Sequence, residues 1–473
     1  MNLKENLKQS NLAKITLGVL LVDIIAAIYI AVQISRYIGT IVAICSLPII
    51  LLLGALLVWC NLKKTKAALV IEIILTIILV IALVLVGKLS SLAGAIGRTV
   101  QYEDVQIVAL ADSDIEPEDD FSNYTLGYTN SDDGAYERSS EILEEHDKKV
   151  KESHPYSDTE TLYNDLLSSN TELMVLTSNT RADLSMIDED YESKIKVVFE
   201  KKYELDAVEI KPVDINSEPF TVYLCGADLS SGQDITSTGR GDVNILLTVN
   251  PKTAKVNLQV IPRDTFVYIP CRGGSSKLSY SGWWGGVQSS IDSIEDKFGV
   301  EINYYAKINF NGLVDLVDAL GGVTVYSHYT YTAGEYSFVK GENYVNGEKA
   351  LMFVRARKML PENELSRGQH QMELIKGIFR KFAENPSYES SMAVLEGLEN
   401  NFVTNIPEKD FYDVFKLVVK LLPELETMEN HTISGTYQWH YDEIREGYYQ
   451  YYFYPDDGEI EKVRERINDV LEG

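Results

Sequence analysis

Three apolar runs dominate the first ninety residues: ITLGVLLVDIIAAIYIAVQI (15–34), IVAICSLPIILLLGALLVWC (41–60) and AALVIEIILTIILVIALVLVG (67–87). Each is about 20 residues long, the length a helix needs to cross a bilayer. A cleavable signal peptide does not present three such runs in succession. Lys4, Lys8 and Lys14 precede the first run, Lys63, Lys64 and Lys66 lie between the second and third, and the link between the first two holds only Arg36. The positive-inside rule then places the N-terminus and the second link in the cytoplasm. Three crossings leave everything beyond about Lys88 outside. Residues 1–90 are thus expected to be a membrane anchor with three transmembrane helices. Asp23 and Glu72 lie inside spans, where a carboxylate is costly and faces protein. Two readings stand: pairing with a partner subunit or a conduit, or a protonated group at a helix contact.

The 473-residue chain carries a formal net charge of -27. That excludes nucleic acid, which needs a basic footprint. Four cysteines (Cys45, Cys60, Cys225 and Cys271) make no disulfide framework or zinc spacing, although the last two are able to pair.

Outside the anchor, residues 100–215 read as a small α/β accessory domain. VQIVAL (105–110) and LMVLTS (173–178) read as buried strands, and 134–153 and 191–205 as charged amphipathic helices. No catalytic constellation stands out there. A proline-containing linker, KPVDINSEPF (211–220), leads into 216–473, where strands and helices alternate. FTVYLCGAD, VNILLTVN, KVNLQVIP, NYYAKINF and ALMFVRARK read as strands. In VQSSIDSIEDKFG, Val287, Ile291, Ile294 and Phe298 share one helical face, and Gly299 is placed to end it. NGLVDLVDAL reads as a helix closed by Gly321 and Gly322, and MELIKGIFRKFAE as a further helix. The tyrosine-rich YYQYYFYP reads as a strand with alternating tyrosines, with sugar stacking as the other reading.

The residues that break apolar patterning gather at element ends. Asp228 follows the first strand of this region, Arg240 and Asp242 precede the second, and Arg263 and Asp264 follow the third in VIPRDTFVYIP. Arg355 and Arg357 alternate in FVRAR, so a strand points both the same way. Glu364, Arg367 and Gln371 fall on one face of a helix. Each charge alone fits a surface ion pair. As a group they suit a polyanion with a metal: arginine forks bind phosphate oxygens, and carboxylates hold Mg²⁺, which takes phosphate oxygens too. No GxxxxGKS, GxSxG or HExxH motif is present.

The ordered set CGAD, GRGDVNILLTVNPKTAKVNLQVIPRDTFVYIP, KLSYSGWWGG, DALGGV, FVKGENYVNGEKALMFVRARK and ENELSRGQHQ resembles the LytR–CpsA–Psr family over roughly residues 218–450. The three-span anchor followed by an extra domain resembles the family's CpsA-like branch, associated with capsular polysaccharide. The resemblance implies an α/β fold: a three-layer catalytic domain over 216–473 with a mixed central sheet, preceded by the accessory domain and three transmembrane helices. It also implies a Gram-positive membrane enzyme with an extracytoplasmic C-terminal region. Such enzymes move a glycopolymer from a polyprenyl pyrophosphate carrier to peptidoglycan, using Mg²⁺. Partners implied are the lipid-linked polysaccharide, the peptidoglycan acceptor, membrane lipid and capsule-assembly membrane proteins.

By motif, Asp228 and Asp242 match the metal-linked aspartates, and Arg263, Arg355, Arg357 and Arg367 the pyrophosphate arginines. Asp264 is expected to orient neighbouring arginines or the metal-bound water, with Arg240, Lys277, Glu364 and Gln371 as further substrate-site positions. Glu364 stands where the family more often has Asp, His370 where it often has Arg, and KLSYSGWWGG departs from the commoner KINHAY. A non-catalytic regulator that binds a lipid-linked sugar or a partner membrane protein is the competing class. A lipid pyrophosphatase needs the same residues and differs in not requiring an acceptor.

Overall fold

The computed structural model describes residues 11–38, 66–130, 134–188, 190–209, 211–229, 233–384, 388–427, 431–445 and 448–473. They fall into two compact units, one holding the N-terminal helices together with Ile406–Val418, the other Arg98–Asn405 with Val419–Gly473.

In the first unit, α1 (Asn11–Ile38) packs on α2 (Lys66–Ile96). Both present apolar side chains outward, Leu21, Val22 and Ile25 from one and Ile77, Ile81 and Val84 from the other. Helices apolar all round are what a lipid environment selects. The segment Thr76–Ile96, with mean hydropathy 2.4, is long and apolar enough to cross a membrane. α1 carries a shorter apolar stretch, Leu21–Gln33, and the expected span 41–60 lies outside the described residues. Asp23 is buried and accepts a hydrogen bond from Thr76 Oγ1 at 2.8 Å, so this carboxylate sits at a helix contact. The Glu72 side chain lies outside the described residues.

The second unit begins with a five-stranded sheet ordered β3-β2-β4-β1-β5, built from β1 (Tyr102–Leu110), β2 (Thr125–Thr129), β3 (Glu152–Tyr156), β4 (Leu173–Leu176) and β5 (Ile195–Glu204). α3 (Ala135–Glu145), α4 (Thr159–Leu167) and α5 (Ser178–Ile187) lie between its strands in sequence. Two helical expectations fail here. The first helix is shorter than expected, and Glu152–Tyr156 adds a strand beside β2. After one turn at Tyr191–Lys194, residues 195–204 form a strand paired antiparallel with all of β1. Val198 and Phe199 are buried by that pairing, and a strand partner outweighs a charged pattern that also fits a helix. Thr177 and Thr180 cap α5 reciprocally.

A second five-stranded sheet, ordered β16-β11-β6-β7-β8, uses β6 (Phe220–Asp228), β7 (Arg240–Val249), β8 (Val256–Val260), β11 (Tyr304–Asn309) and β16 (Phe402–Thr404). The β6–β11 pair is parallel and the others antiparallel, so the sheet is mixed. A hairpin of β9 (Phe266–Ile269) and β10 (Gly274–Lys277) leads into α6 (Leu278–Phe298). Val287, Ile291, Ile294 and Phe298 are buried against Tyr223, Cys225 and Leu246 of the sheet, and Gly299, at φ 64°, ends the helix. Cys225 is buried and Cys271 exposed, and both are free thiols.

α7 (Phe310–Ala319) follows β11, with Gly321 and Gly322 at positive φ behind it. β12 (Val323–Ser327) pairs with β15 (Gly341–Val345) around the hairpin β13 (Tyr331–Ala333)–β14 (Tyr336–Phe338). The expected strand ALMFVRARK is instead α8 (Gly347–Arg355). Asn346 accepts a hydrogen bond from Lys349 N at 3.1 Å as its cap, and Ala350, Phe353 and Val354 form an i, i+3, i+4 apolar face. Arg355 and Arg357 therefore do not share one side of a strand. α9 (Glu364–Glu384), the ribbon of β17 (Gly435–Tyr441) and β18 (Tyr449–Pro455), and α10 (Glu459–Glu472) follow within the unit.

The two parts of this unit are stitched through the segment before β7. Tyr102 N donates to Thr236 O at 2.9 Å and Thr238 N to Tyr102 O at 2.8 Å. Gln101 Oε1 accepts from Val287 N at 2.9 Å, at a kink in α6 where Gly286 has φ 63° and an added Cβ would lie 2.3 Å from that oxygen. Lys307 is buried on β11 and donates to Ser237 O at 2.6 Å, and burial pushes its pKa down to about 8.

His370 is core. It stacks on Phe353 at 4.1 Å and Tyr331 at 5.4 Å, with Nδ1 3.2 Å from Phe353 O. Burial pushes its pKa down from 6.5 to about 4, with the backbone hydrogen bond opposing and His328 adding to the fall. Between those pH values the unfolded chain binds the proton that the folded one refuses. Stability is therefore full above 6.5 and falls as pH drops through about 4. The expected loss is about 3 kcal/mol, read as a lower denaturation midpoint in acid, and His370→Phe should flatten that slope. An unchanged slope in the variant would assign the acid sensitivity to other groups.

Candidate active site

The site starts at the paired ends of β6 and β7, where Asp228 stands opposite Arg240 after a register shift at Gly226 and Ala227. Arg240 pairs with Asp228 and sends Nε to Asp242 Oδ1 at 2.7 Å. Its guanidinium lies 5.6 Å from the Trp283 ring centroid. Gly282 allows this approach, since a Cβ there would lie 2.6 Å from Gly239 O. Beneath, Tyr223 donates to Asn244 Oδ1 at 2.6 Å, and Asn244 Nδ2 to Gly241 O at 2.9 Å, fixing the strand that carries Arg240 and Asp242.

β8 gives way to Pro262, and Arg263 NH1 reaches Asp242 Oδ2 at 2.7 Å. Asp242 thus bridges two arginines. Next to it, Asp264 takes Lys277 Nζ at 3.1 Å and Arg357 at 3.7 Å. The β9–β10 hairpin explains the lysine: Lys277 lies opposite Phe266, two residues from Asp264. Ser279 N donates to Arg263 O at 2.9 Å, fixing the loop to the start of α6. Arg357 also pairs with Glu364, whose other oxygen takes Arg367 at 2.6 Å. Glu364 lies in the first turn of α9, where the helix dipole favours a carboxylate.

Asp242, Arg263, Glu364, Arg367 and Gln371 line one cleft, so the expected helical face of 364, 367 and 371 does turn toward the strand-end charges. Arg355 stands apart from this chain of pairs. It is exposed, stacks 4.7 Å over Phe310 and makes no ion pair among the described residues, yet its charge is felt by Asp228.

Burial raises the pKa of Asp242, but Arg240, Arg263 and Arg367 outweigh it and hold the carboxyl at about 2. Burial also opposes Lys277 and Arg263 at Asp264, and the cations win, keeping it below the usual carboxylate range. At Asp228 burial prevails: its pKa is raised, with Arg240 opposing and Asp242 adding. Arg263 Nε is buried without a hydrogen-bond partner among the described residues. That leaves a charged donor at the cleft with one N–H unused, a cost that an anionic oxygen would remove.

Among the described residues, no three His, Cys, Asp or Glu side chains form a metal-ligand group. Asp228 and Asp242, bridged by Arg240, offer two hard oxygen donors side by side. That set fits a cation such as Mg²⁺, which uses one or two carboxylates and completes its shell with water and phosphate oxygens.

One residue that patterning did not single out is Tyr437, on β17. Burial and the charges of Glu364 and Asp264 raise its pKa, with Arg357 and Arg367 opposing. No motif marks it; only the fold of the ribbon brings it there. The ribbon is tied in by Phe453 N donating to Asp264 O at 2.8 Å, and by Asp442, which accepts from Ser276 Oγ at 2.6 Å and Tyr452 OH at 2.8 Å.

The LytR_cpsA_psr family model matches residues 176–469, a stretch beginning inside β4. A Bacillus licheniformis protein named polyisoprenyl-teichoic acid–peptidoglycan teichoic acid transferase TagU is 38% identical over 203 residues, 43% of this chain and 65% of that protein's length. Its Bacillus subtilis namesake is 35% identical over 238 residues, 49% of this chain and 76% of that protein. The crystal structure of B. subtilis TagU aligns at 30% identity with a TM-score of 0.43, covering 54% of this chain and 98% of that one. Protein gbs0355 from Streptococcus agalactiae aligns at 27% identity with a TM-score of 0.49, covering 56% and 92%. With its model matched over more than half of the sequence, the chain belongs to the LytR–CpsA–Psr family.

Proposed function

We propose that this protein is a membrane-anchored phosphotransferase that moves a glycopolymer from a polyprenyl pyrophosphate carrier to peptidoglycan. The glycopolymer is of the capsular class by the N-terminal architecture. The observation that carries the reading is the arginine cluster held by Asp242, Asp264 and Glu364, with an Arg263 N–H at its cleft unused among the described residues. Arg263, Arg357 and Arg367 bind the pyrophosphate oxygens. Asp242, Asp264 and Glu364 keep those guanidinium groups apart and aimed. An acceptor hydroxyl attacks the phosphorus that carries the polymer, and polyprenyl phosphate leaves. Charge then develops on oxygens that the pre-set donors already face, which favours the transition state over bound substrate. Asp228 and Asp242 would hold Mg²⁺, which when bound would add charge neutralisation at the phosphates.

The test is an assay with lipid-pyrophosphate donor, oligomeric peptidoglycan and Mg²⁺, following polymer bound covalently to the wall fragment. Carrier cleavage that proceeds equally without acceptor would make the protein a pyrophosphatase. Donor binding with no bond formed would make it a regulator.

The anchor belongs to the same proposal: three spans, the N-terminus inside and the second unit outside. In a background free of the four native cysteines, an impermeant thiol reagent should label Val150→Cys and spare Lys64→Cys. The reverse pattern sinks the topology.

A further inference from the structure

Beside the phosphate cluster, the β17–β18 ribbon carries an aromatic face that the proposed chemistry does not use. In register, Tyr437 faces Phe453, Trp439 faces Tyr451, and Tyr441 faces Tyr449. The inner pair belongs to the core: Phe453 is 1% exposed and Tyr437 packs beside it. The outer four are open, with Trp439 at 58%, Tyr441 at 64%, Tyr449 at 53% and Tyr451 at 43% exposure. The rings brace each other, Tyr437 on Tyr451 at 5.0 Å, Trp439 on Tyr449 at 5.6 Å and Tyr441 on Tyr449 at 4.8 Å. Four large aromatics left together in water are a cost that a ligand repays.

The composition of the face selects the ligand. All four open side chains are aromatic and none is aliphatic. Neither strand carries a lysine or arginine, so anionic lipid headgroups find no counter-charge. Flat rings with polar rims suit a molecule with an apolar face and hydroxyl edges, as a pyranose has. A second observation points the same way. The Tyr437 hydroxyl, at the inner end of the face, is buried and has no hydrogen-bond partner among the described residues. A ligand hydroxyl there would satisfy it.

We propose that Trp439, Tyr441, Tyr449 and Tyr451 form a glycan-stacking platform that leads a pyranose chain to the phosphate cluster, with Tyr437 as its inner polar contact. The site it feeds rests on the transferase reading, but stacking is measurable without transfer. The platform takes sugar faces from either source, the polymer being moved or the amino-sugar strand receiving it.

The full-length protein in detergent is titrated calorimetrically with chitohexaose, maltohexaose and a glycerol-phosphate oligomer, which has no pyranose ring. At least one hexasaccharide should bind. Trp439→Ala should weaken that binding about tenfold, with Tyr451→Ala adding to the loss, and Trp439→Phe should retain most of it. Preference for chitohexaose assigns the platform to the acceptor strand, and preference for maltohexaose to the donor polymer. The glycerol-phosphate oligomer should respond to Arg263→Ala and not to Trp439→Ala, so failure of the phosphate site is separable from failure of the platform. Circular dichroism confirms that each variant is folded. Absence of hexasaccharide binding, or unchanged affinity in Trp439→Ala, overturns the proposal. So does a Trp439-dependent attachment to lipid vesicles or self-association in place of sugar binding.

Discussion

Arg263→Ala is expected to lower the transfer rate by about 10²–10³-fold, the usual consequence of removing one pre-set donor to a developing oxyanion. Two facts single out this arginine. It is anchored to Asp242 through NH1, so its position is set before substrate arrives, and its Nε is buried with nothing to donate to among the described residues. Arg263→Lys should recover little, because one ammonium cannot hold the carboxylate and a phosphate oxygen in a planar fork. The measurement is kcat in the acceptor-dependent assay, with donor binding measured separately. A folded Arg263→Ala variant that transfers within threefold of the native rate would remove this residue from the reaction.

The second large effect is on the fold. Asp242→Ala takes the bridging carboxylate from between two arginines. Arg240 keeps Asp228, but Arg263, largely buried, is left without a direct ion pair among the described residues. Breaking a buried pair on one side costs about 3–5 kcal/mol, far more than losing a surface bridge. The variant should therefore unfold at clearly lower denaturant. Inorganic pyrophosphate should restore more stability to it than it adds to the native protein, since the anion takes the vacant place beside Arg263. Equal stabilisation of both proteins would show that the anion does not take the place left by Asp242, and stabilisation of neither would show that the cluster does not receive phosphate.

The site was legible wherever a charge interrupted an apolar element. Asp228, Arg240, Asp242, Arg263 and Asp264 all sit at strand ends, and the chain's hairpin connections bring those ends to one edge. The spacing of Glu364, Arg367 and Gln371 sufficed because a helix fixes its faces locally. Where two periods fit equally, patterning failed. FVRAR alternates like a strand, yet the Asn346 cap and the buried Ala350, Phe353 and Val354 make the segment a helix. As a result Arg355 and Arg357 diverge. Residues 195–204 failed in the opposite direction, since only β1 alongside makes them a strand. The approach of Tyr437 to the charges of Glu364 and Asp264 depends on tertiary packing that no local pattern encodes.

The stitching ahead of β7 bears on how this protein tolerates dissection. Thr236 and Thr238, which bond to Tyr102, stand just before Arg240. Gln101 fills the kink of α6, whose earlier turns carry Trp283 under the same arginine. The N-terminal sheet therefore acts as a splint for a strand it does not belong to. A fragment cut at 216 would keep every charged residue of the cluster and still lose the backbone partners that hold Arg240 and Asp242 in register. Low affinity in such a fragment would be a fault of alignment, and the missing residues would be wrongly excluded from the protein's working part. The two sheets are one mechanical piece, and an exchanged N-terminal sheet keeps β7 in register only if it supplies the Gln101 and Tyr102 contacts.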